Sequence, residues 1–394
     1  MPFRSGDTGS LDRIRFLRSS LVQARQRVHL LRAHDAWLRP GTWKSTGFAS
    51  PVWHHADVAP PETLMREGGK GAGPRRRPGL RGLTRSAAYA VVSRLGPRRC
   101  EIAPEGSPRA NGTTAVALNA NSPRRAQLLA LDSAASEVIR LGQAGSFDAE
   151  YVALRTRVAR HLPMVEFRVV EEDGAGLLET WSHGPLLHQL PIEEQLPHVH
   201  TLVQDCANLT RAERAAEPPT ELSALPADLA AANLPTDLRR FLDDPAIGRL
   251  FSTAVAHPSH GDLAVSNIAV NETPVLFDCD WLGWYPFWFD PVKLIEIVAR
   301  RLGIERLVND IEVSSALDAL WEAADLAAEQ RPALPQLIAL YVPVWAWMRV
   351  THGGREACDP QQFTDEVAHL WARSKAATWL LTQSPVASGA GRGL

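Results

Sequence analysis

The sequence has few cysteines and no long apolar run. Its four cysteines are spread over 394 residues without a C-x-x-C pair, which argues against a disulfide framework and against a cysteine-based zinc site. A reducing compartment suits such a chain, so we expect a cytoplasmic protein. No segment approaches the ~20 consecutive apolar residues that a membrane span requires. The 42 basic and 44 acidic side chains leave a formal net charge of −2, which disfavours nucleic-acid binding driven by bulk charge.

Lysine is also scarce, since it supplies only four of the 42 basic side chains. Any chemistry that lysine usually performs is therefore expected on arginine in this chain. The apolar share of 45% and the charged share of 22% are typical of a globular protein. A length of 394 residues exceeds what one ordinary domain needs, which favours two packed lobes or one large domain.

The first 110 residues lack the pattern of a compact fold. They contain the glycine cluster at 68–73, followed by the arginine- and proline-rich stretch at 74–78. The glycine cluster lacks the G-x-x-x-x-G-K-[ST] spacing of a phosphate-binding loop. We therefore expect residues 1–110 to form a disordered or poorly packed N-terminal extension.

Regular patterns begin after this extension. In 111–183, alternating and apolar runs predict an antiparallel sheet of about five strands with one helix after the third, the strands lying at 114–119, 127–131, 137–141, 166–171 and 176–181. Residues 184–385 are mainly helical, with helices predicted at 192–212, 235–256, 291–303, 313–329, 334–351 and 361–382. Residues 386–394 are expected to be a flexible tail. The fold class is α+β, with a small sheet lobe and a larger helical lobe.

A short non-helical segment at 260–280, here called the island, interrupts the helical part and contains the candidate catalytic residues. It contains Asp262 before a short strand, Asn267 five residues later and Asp278 at the end of a second strand. A hairpin of this length brings Asn267 and Asp278 side by side, and their oxygens are hard ligands that suit magnesium together with phosphate. Asp262 is placed to accept a proton from an attacking hydroxyl. Such a set of side chains is typical of phosphoryl transfer.

The island resembles the aminoglycoside phosphotransferase and choline kinase-like family, which has a protein-kinase-like fold. The resemblance rests on H-G-D-x-x-x-x-N at His260–Asn267, on the D-x-D-W run ending at Trp281, and on F-D-P-V-K-L at Phe289–Leu294. It covers roughly residues 113–383 but is strong only at 257–296. The resemblance implies an ATP-dependent kinase with an alcohol group as acceptor and with ATP and Mg²⁺ as cofactors.

Carried onto this chain, the resemblance implies Asp262 as the catalytic base and Asn267 and Asp278 as magnesium ligands. His260 is expected to hold the loop, and Asp290 to buttress it from the start of a helix. Asp280 has two open interpretations, one near the metal or substrate and one that only stabilises the loop.

The nucleotide-binding residues are expected in the small lobe. The loop over the phosphates would be 119–125, which contains Ser122 and Arg124 but no glycine. The segment from Glu179 to Trp181 falls where a hinge between lobes would hydrogen-bond adenine.

A phosphate-binding side chain is expected on the third strand of this lobe. Arg140 stands there in place of a lysine, and its forked donors suit phosphate oxygens. Its expected orienting partner is Glu150, at the start of the following helix.

The acceptor is less well defined by the sequence. Acidic helices suit a cationic small molecule such as an aminoglycoside, and the aromatic run from Trp281 to Trp288 suits a choline-like ammonium or another, hydrophobic natural product, but both features also fit solvated faces and core packing. Two alternatives remain open: a kinase for a Ser or Thr in a peptide, and a catalytically degenerate kinase-like binding protein. No nucleic-acid partner is expected, and the oligomeric state is not specified.

Overall fold

The structure is a computed structural model of the 394-residue chain. It describes residues 28, 31–32, 38–45, 52–57, 99–102, 115–119, 127–131, 137–141, 145–170, 176–180, 184–216, 225–245, 247, 256–351 and 360–374. The chain divides into two compact units. The sheet unit comprises Met1–Asp148 and Glu166–Trp181, and the helical unit comprises Ala149–Val165 and Ser182–Leu394.

The sheet unit is built on one antiparallel sheet. Its eight strands are β1 (Gly41–Ser45), β2 (Val52–His55), β3 (Arg99–Ile102), β4 (Ala115–Asn119), β5 (Gln127–Leu131), β6 (Glu137–Leu141), β7 (Phe167–Val169) and β8 (Gly176–Thr180). They lie in the order β3-β1-β2-β4-β5-β6-β8-β7. The strands predicted from the sequence are confirmed as β4 to β8.

The three remaining strands lie in the region that was expected to be poorly packed. Strand β2 pairs with β4, so β1 to β3 extend the predicted sheet by three strands. Trp43 and Trp53 are at most 1% exposed, and Cys100 and Ile102 are also buried. For 41–45, 52–55 and 99–102 the expectation of an unpacked extension was wrong, because these short strands obtain hydrogen bonds and apolar burial within one sheet, where β1 pairs with β2 and β3 and β2 pairs with β4.

The helical unit contains nine named helices and two short two-stranded antiparallel sheets among its described residues. The helices are α1 (Ala149–Ala159), α2 (Ile192–Glu213), α3 (Leu225–Ala231), α4 (Thr236–Leu242), α5 (Phe289–Leu302), α6 (Ile304–Val308), α7 (Ile311–Ala323), α8 (Leu334–Thr351) and α9 (Pro360–Trp371). The strands are β9 (Ala256–Ser259), β10 (Ile268–Val270), β11 (Pro274–Leu276) and β12 (Gly283–Pro286), with β9 paired to β12 and β10 to β11.

Two helix predictions differ from the structure. The helix expected at 313–329 ends at Ala323. The helix expected at 235–256 is interrupted, since α4 ends at Leu242, residues 245 and 247 are again helical, and β9 begins at Ala256. The sequence Asp243-Asp244-Pro245 explains this end, because proline lacks an amide hydrogen and disfavours helical backbone at the residue before it. In the part of the chain that the structure describes, no helix has both the length and the apolar character needed to cross a bilayer.

The core of the helical unit forms around α5 and α8. Helix α5 buries ten of its fourteen residues, including Phe289 and Leu294. Helix α8 buries almost its whole circumference, which is typical of a helix packed on several sides. Helix α5 follows the segment that contains the predicted catalytic residues, and α8 packs against α5.

Candidate active site

The predicted catalytic loop begins where β9 ends. Ser259 on β9 pairs with Gly283 on β12, and Gly261 follows with φ = 75°. A Cβ atom at Gly261 would lie 2.0 Å from the carbonyl oxygen of Trp281. Only glycine allows both this backbone conformation and this close approach. The H-G-D motif therefore contains its glycine for a steric reason.

Asp290 holds the loop from the first turn of α5. Its Oδ2 accepts a hydrogen bond of 3.0 Å from the Gly261 amide, and its side chain is buried. Burial raises the pKa of Asp290, while His260, the Gly261 amide and Lys293 act in the opposite direction. These contacts are the ones that the predicted buttressing role requires.

His260 is completely buried beside the same loop. Its Nε2 lies 3.1 Å from the carbonyl oxygen of Phe277, and its Nδ1 lies 3.3 Å from the Asp262 amide. Both ring nitrogens therefore contact main-chain groups. The contacts link the loop to the end of β11, as a structural histidine would.

Asp262 has a partner at each carboxylate oxygen. Lys293 Nζ forms an ion pair with Oδ1, and Asn267 Nδ2 donates to Oδ2 at 2.9 Å. The side chain is still 23% exposed. Because a carboxylate offers about four acceptor sites, Asp262 retains capacity to accept a proton from a further hydroxyl.

Lys293 is a functional candidate that sequence reasoning missed. The resemblance to the family included Lys293 only as a letter of the F-D-P-V-K-L run, and lysine chemistry was sought on arginine. Lys293 lies on α5 with a side chain only 4% exposed, and its Nζ is 3.5 Å from the ring centroid of Trp345. Burial lowers the pKa of Lys293, while the adjacent Asp262 acts in the opposite direction. Its rarity was a usable signal, because no other lysine occurs between Lys70 and Lys375.

The predicted metal ligands flank the hairpin of β10 and β11. The Phe277 amide donates to the Asn267 carbonyl at 3.1 Å, and Ile268 pairs with Leu276, so Asp278 comes one residue after the position opposite Asn267. Asp278 has φ = 64°, a left-handed conformation that aspartate tolerates better than most residues. The structure thus brings Asn267 and Asp278 to one end of the hairpin, as the sequence predicts.

The donor set at this end suits magnesium. Asn267 Nδ2 donates two hydrogen bonds to Asp262, one to the main-chain oxygen and one to the carboxylate. This orientation makes Oδ1 the atom that can contact a cation, and Oδ1 also accepts a hydrogen bond of 3.2 Å from the Ser266 hydroxyl. Among the described residues no group of three or more His, Cys, Asp and Glu side chains could hold a metal. One carboxylate and one carboxamide oxygen instead fit an ion that obtains its other ligands from phosphate and water.

In the sheet unit, Arg140 forms a buried ion pair with Glu179 across the neighbouring strands β6 and β8. Both side chains are at most 6% exposed. The expected partner Glu150 belongs to the helical unit and is exposed in the first turn of α1, so the Arg140–Glu150 pairing stays a prediction. Glu179 was assigned to the hinge, and its pairing with Arg140 was missed. Ser122, Arg124 and Trp181 lie outside the described residues.

The aromatic run after Asp278 divides between packing and partial exposure. Tyr285 and Trp288 are buried, and Tyr285 stacks on Phe289 at 4.7 Å between ring centroids. Trp281 is half-buried and packs on Trp345 at 5.4 Å. Asp280, which directly precedes Trp281, is buried. Part of this run therefore serves the core, which was one of its two interpretations.

Comparisons of the chain with protein-family models and with curated proteins found no match. Solved structures do resemble it. A choline kinase from Streptococcus pneumoniae is 12% identical, with a TM-score of 0.41 over 65% of this chain and 89% of that one. A choline/ethanolamine kinase family protein from Mesorhizobium loti is 14% identical, with a TM-score of 0.38 over 67% and 87%. An aminoglycoside phosphotransferase from Streptomyces rimosus is 19% identical, with a TM-score of 0.34 over 55% and 89%.

These matches include both groups named by the sequence resemblance, choline kinases and aminoglycoside phosphotransferases. Their identities and TM-scores are low. The chemistry of this chain is therefore inferred from its own residues.

Proposed function

We propose that the chain is a cytoplasmic, ATP-dependent phosphotransferase with a two-lobed protein-kinase-like fold, and that it phosphorylates a hydroxyl group of a small molecule. The observation that supports this most strongly is the set of contacts around Asp262. A partly exposed carboxylate lies between a buried lysine and an asparagine amide, and that asparagine directs its oxygen away from the carboxylate. This is the arrangement that a base beside a metal–phosphate site needs.

Each residue of the site has a distinct part in the proposed reaction. The acceptor oxygen forms a bond to the γ-phosphorus as the bond from that phosphorus to the ADP oxygen breaks, and the hydroxyl proton passes to Asp262. Lys293 and Asn267 hold the Asp262 carboxylate in one orientation. Asn267 and Asp278 would hold Mg²⁺, which when bound neutralises charge on the phosphates.

The nucleotide phosphates are assigned to Arg140 in the sheet unit. Its ion pair with Glu179 fixes the guanidinium on the sheet, and a guanidinium has the forked donors that suit phosphate oxygens. Glu150, Ser122, Arg124 and Trp181 remain proposed nucleotide contacts from the sequence.

Nucleotide titration tests this proposal without knowledge of the acceptor. Calorimetry of ADP and ATP with and without Mg²⁺ should show binding that depends on the ion. Arg140→Ala should weaken nucleotide binding at least tenfold, because forked charge-assisted bonds to phosphate are lost. Arg168→Ala is the matched control, since Arg168 is an exposed arginine on β7 of the same sheet. A wild-type protein that binds no nucleotide under either condition would refute the proposal.

A further inference from the structure

A cavity in the helical unit includes in its lining the ring of Trp345, which contacts Lys293. Its volume is about 150 Å³, and it is lined by side chains of α5 and α8 and by residues at and just after the end of α9. The lining is basic and aromatic, and includes Glu296, Arg300, Tyr341, Trp345, Arg349 and Arg373. The proposed function uses none of these residues.

The charge of the lining is not fully balanced within the protein. Arg300 pairs with Glu296 at 2.5 Å, and Arg349 pairs with Glu366 at 2.8 Å. Arg373 has only a long contact of 3.5 Å to His369, and it forms no ion pair with any residue that the structure describes. Among the described residues, the three guanidinium groups of the lining have two carboxylate partners, Glu296 in the lining and Glu366 outside it. This leaves an excess positive charge at the cavity. A ligand with a negative group would complement it.

Glu296 supplies a second, independent indication of a ligand. Its side chain is 2% exposed, and its Oε1 is taken by Arg300. Its Oε2 accepts no hydrogen bond from any described residue. A buried carboxylate oxygen without a donor is costly, and a hydroxyl or N–H group on a bound molecule would remove that cost.

Trp345 connects the cavity to the catalytic loop. The same ring that lines the cavity lies 3.5 Å from Lys293 Nζ, which pairs with Asp262. Glu296 follows Lys293 by three residues on α5, a rise of about 4.5 Å. Tyr341, another lining residue, has its pKa raised well above the usual value by burial and then by Glu296 and Asp262, so its phenol stays protonated and can donate.

We propose that this cavity binds the phosphate acceptor, and that the acceptor is a small anionic alcohol whose acid group contacts Arg349 and Arg373 while a donor group contacts Glu296. The inference rests on the proposed function, since it names the substrate class of that reaction. It replaces the cationic acceptor expected from the sequence. The acid group is a carboxylate or a phosphate, which share this chemistry. The acceptor hydroxyl gains the γ-phosphoryl group, its proton goes to Asp262, and ADP leaves.

Calorimetric titration of the protein with bound ADP and Mg²⁺ tests the acceptor class, because no turnover occurs. The probes are glycerate, glycerol 1-phosphate, glycerol and ethanolamine, which are all small alcohols but differ in charge. We expect at least one anionic alcohol to bind at least tenfold more tightly than glycerol and ethanolamine. The comparison of glycerate with glycerol 1-phosphate distinguishes a carboxylate from a phosphate. Equal or tighter binding of the neutral or cationic probe, or no binding of either anion, would overturn the proposal.

Arginine variants locate the binding of that anion. Arg373→Ala and Arg349→Ala should each weaken it at least tenfold, Arg373→Lys should restore part of it, and Arg306→Ala, an exposed arginine outside the cavity, should leave it unchanged. Unchanged anion binding in both alanine variants would assign the anion to another place and refute the site. Nucleotide titration of the same preparations separates the two proposals. Intact nucleotide binding without anion binding refutes the acceptor class alone, whereas absent nucleotide binding refutes the kinase function whatever the anions do.

Discussion

Replacement of Gly261 by alanine should damage both the stability and the catalytic loop. The residue has φ = 75°, and its new Cβ would lie 2.0 Å from the main-chain oxygen of Trp281. The left-handed backbone costs roughly 1–2 kcal/mol for a residue with a Cβ. Forced overpacking adds about 1–3 kcal/mol. The free energy of unfolding should therefore fall by about 2–5 kcal/mol.

Gly145 offers a control with a similar φ and no steric clash. It has φ = 72°, and no described atom lies within 4 Å of its Cβ position. Gly145→Ala should therefore cost only the backbone share of roughly 1–2 kcal/mol. The difference between the two variants isolates the clash with Trp281.

Urea unfolding followed by far-UV circular dichroism measures both variants, and any transfer assay then reports on the loop. Displacement of Asp262 by the repositioned loop should lower kcat by on the order of a hundredfold in Gly261→Ala, with Gly145→Ala close to wild type. Equal loss of stability in the two variants would refute the steric argument for the H-G-D glycine.

Three further results are expected. Deletion of residues 1–105 removes β1 to β3 and exposes the edge of β4, so the truncated chain should lose solubility; a soluble, fully folded truncation by size exclusion and circular dichroism would contradict this. Burial lowers the pKa of His257 from 6.5 to about 4, so the folded state disfavours the protonated ring. The free energy of unfolding should therefore fall by about 3 kcal/mol as the pH falls from above 6.5 to about 4. Urea titrations should show a smaller fall in His257→Gln. Lys293→Met removes the ion pair with Asp262, so it should lower kcat at least tenfold with little change in the Kd for ADP and Mg²⁺. Lys293→Arg should recover part of the lost kcat. An unchanged kcat in Lys293→Met would show that Lys293 does not position Asp262.

The parts of the fold that sequence could predict are those with local signals. Strands β4 to β8 alternate or run apolar between turn residues, and helix α1 carries buried side chains at helical spacing. The hairpin that brings Asn267 and Asp278 together is likewise short, so its geometry follows from a few residues. Strands β1 to β3 carry four or five residues each within glycine- and proline-rich sequence. Strands β1 and β2 are close along the chain, but β3 pairs with β1 and β2 pairs with β4 over much longer separations, which leave no local pattern.

The pairings that sequence reasoning missed are long-range contacts. Lys293 and Asp262 are 31 residues apart, and strands β10, β11 and β12 lie between them in sequence. Arg140 and Glu179 are 39 residues apart and meet because β6 lies next to β8 in the sheet. Both residues were expected at the nucleotide site, but their contact depends on the order of the strands, and the expected pairing of Arg140 with Glu150 stays a prediction.

The central claim is that Asp262 acts as a base and Asp278 as a metal ligand, and two variants test it together. Asp262→Asn and Asp278→Asn preserve side-chain shape, so both should fold. The measurement is the affinity for ADP with and without Mg²⁺ by calorimetry, combined with the rate of transfer from ATP to water or to an anionic alcohol by mass spectrometry.

The account predicts that both variants lose transfer by on the order of a hundredfold or more, but that they differ in nucleotide binding. Asp262→Asn should bind ADP with Mg²⁺ nearly as the wild type does, whereas Asp278→Asn should lose the part of the affinity that depends on Mg²⁺. Wild-type turnover in Asp262→Asn, or unchanged Mg²⁺-dependent affinity in Asp278→Asn, would contradict the assignment.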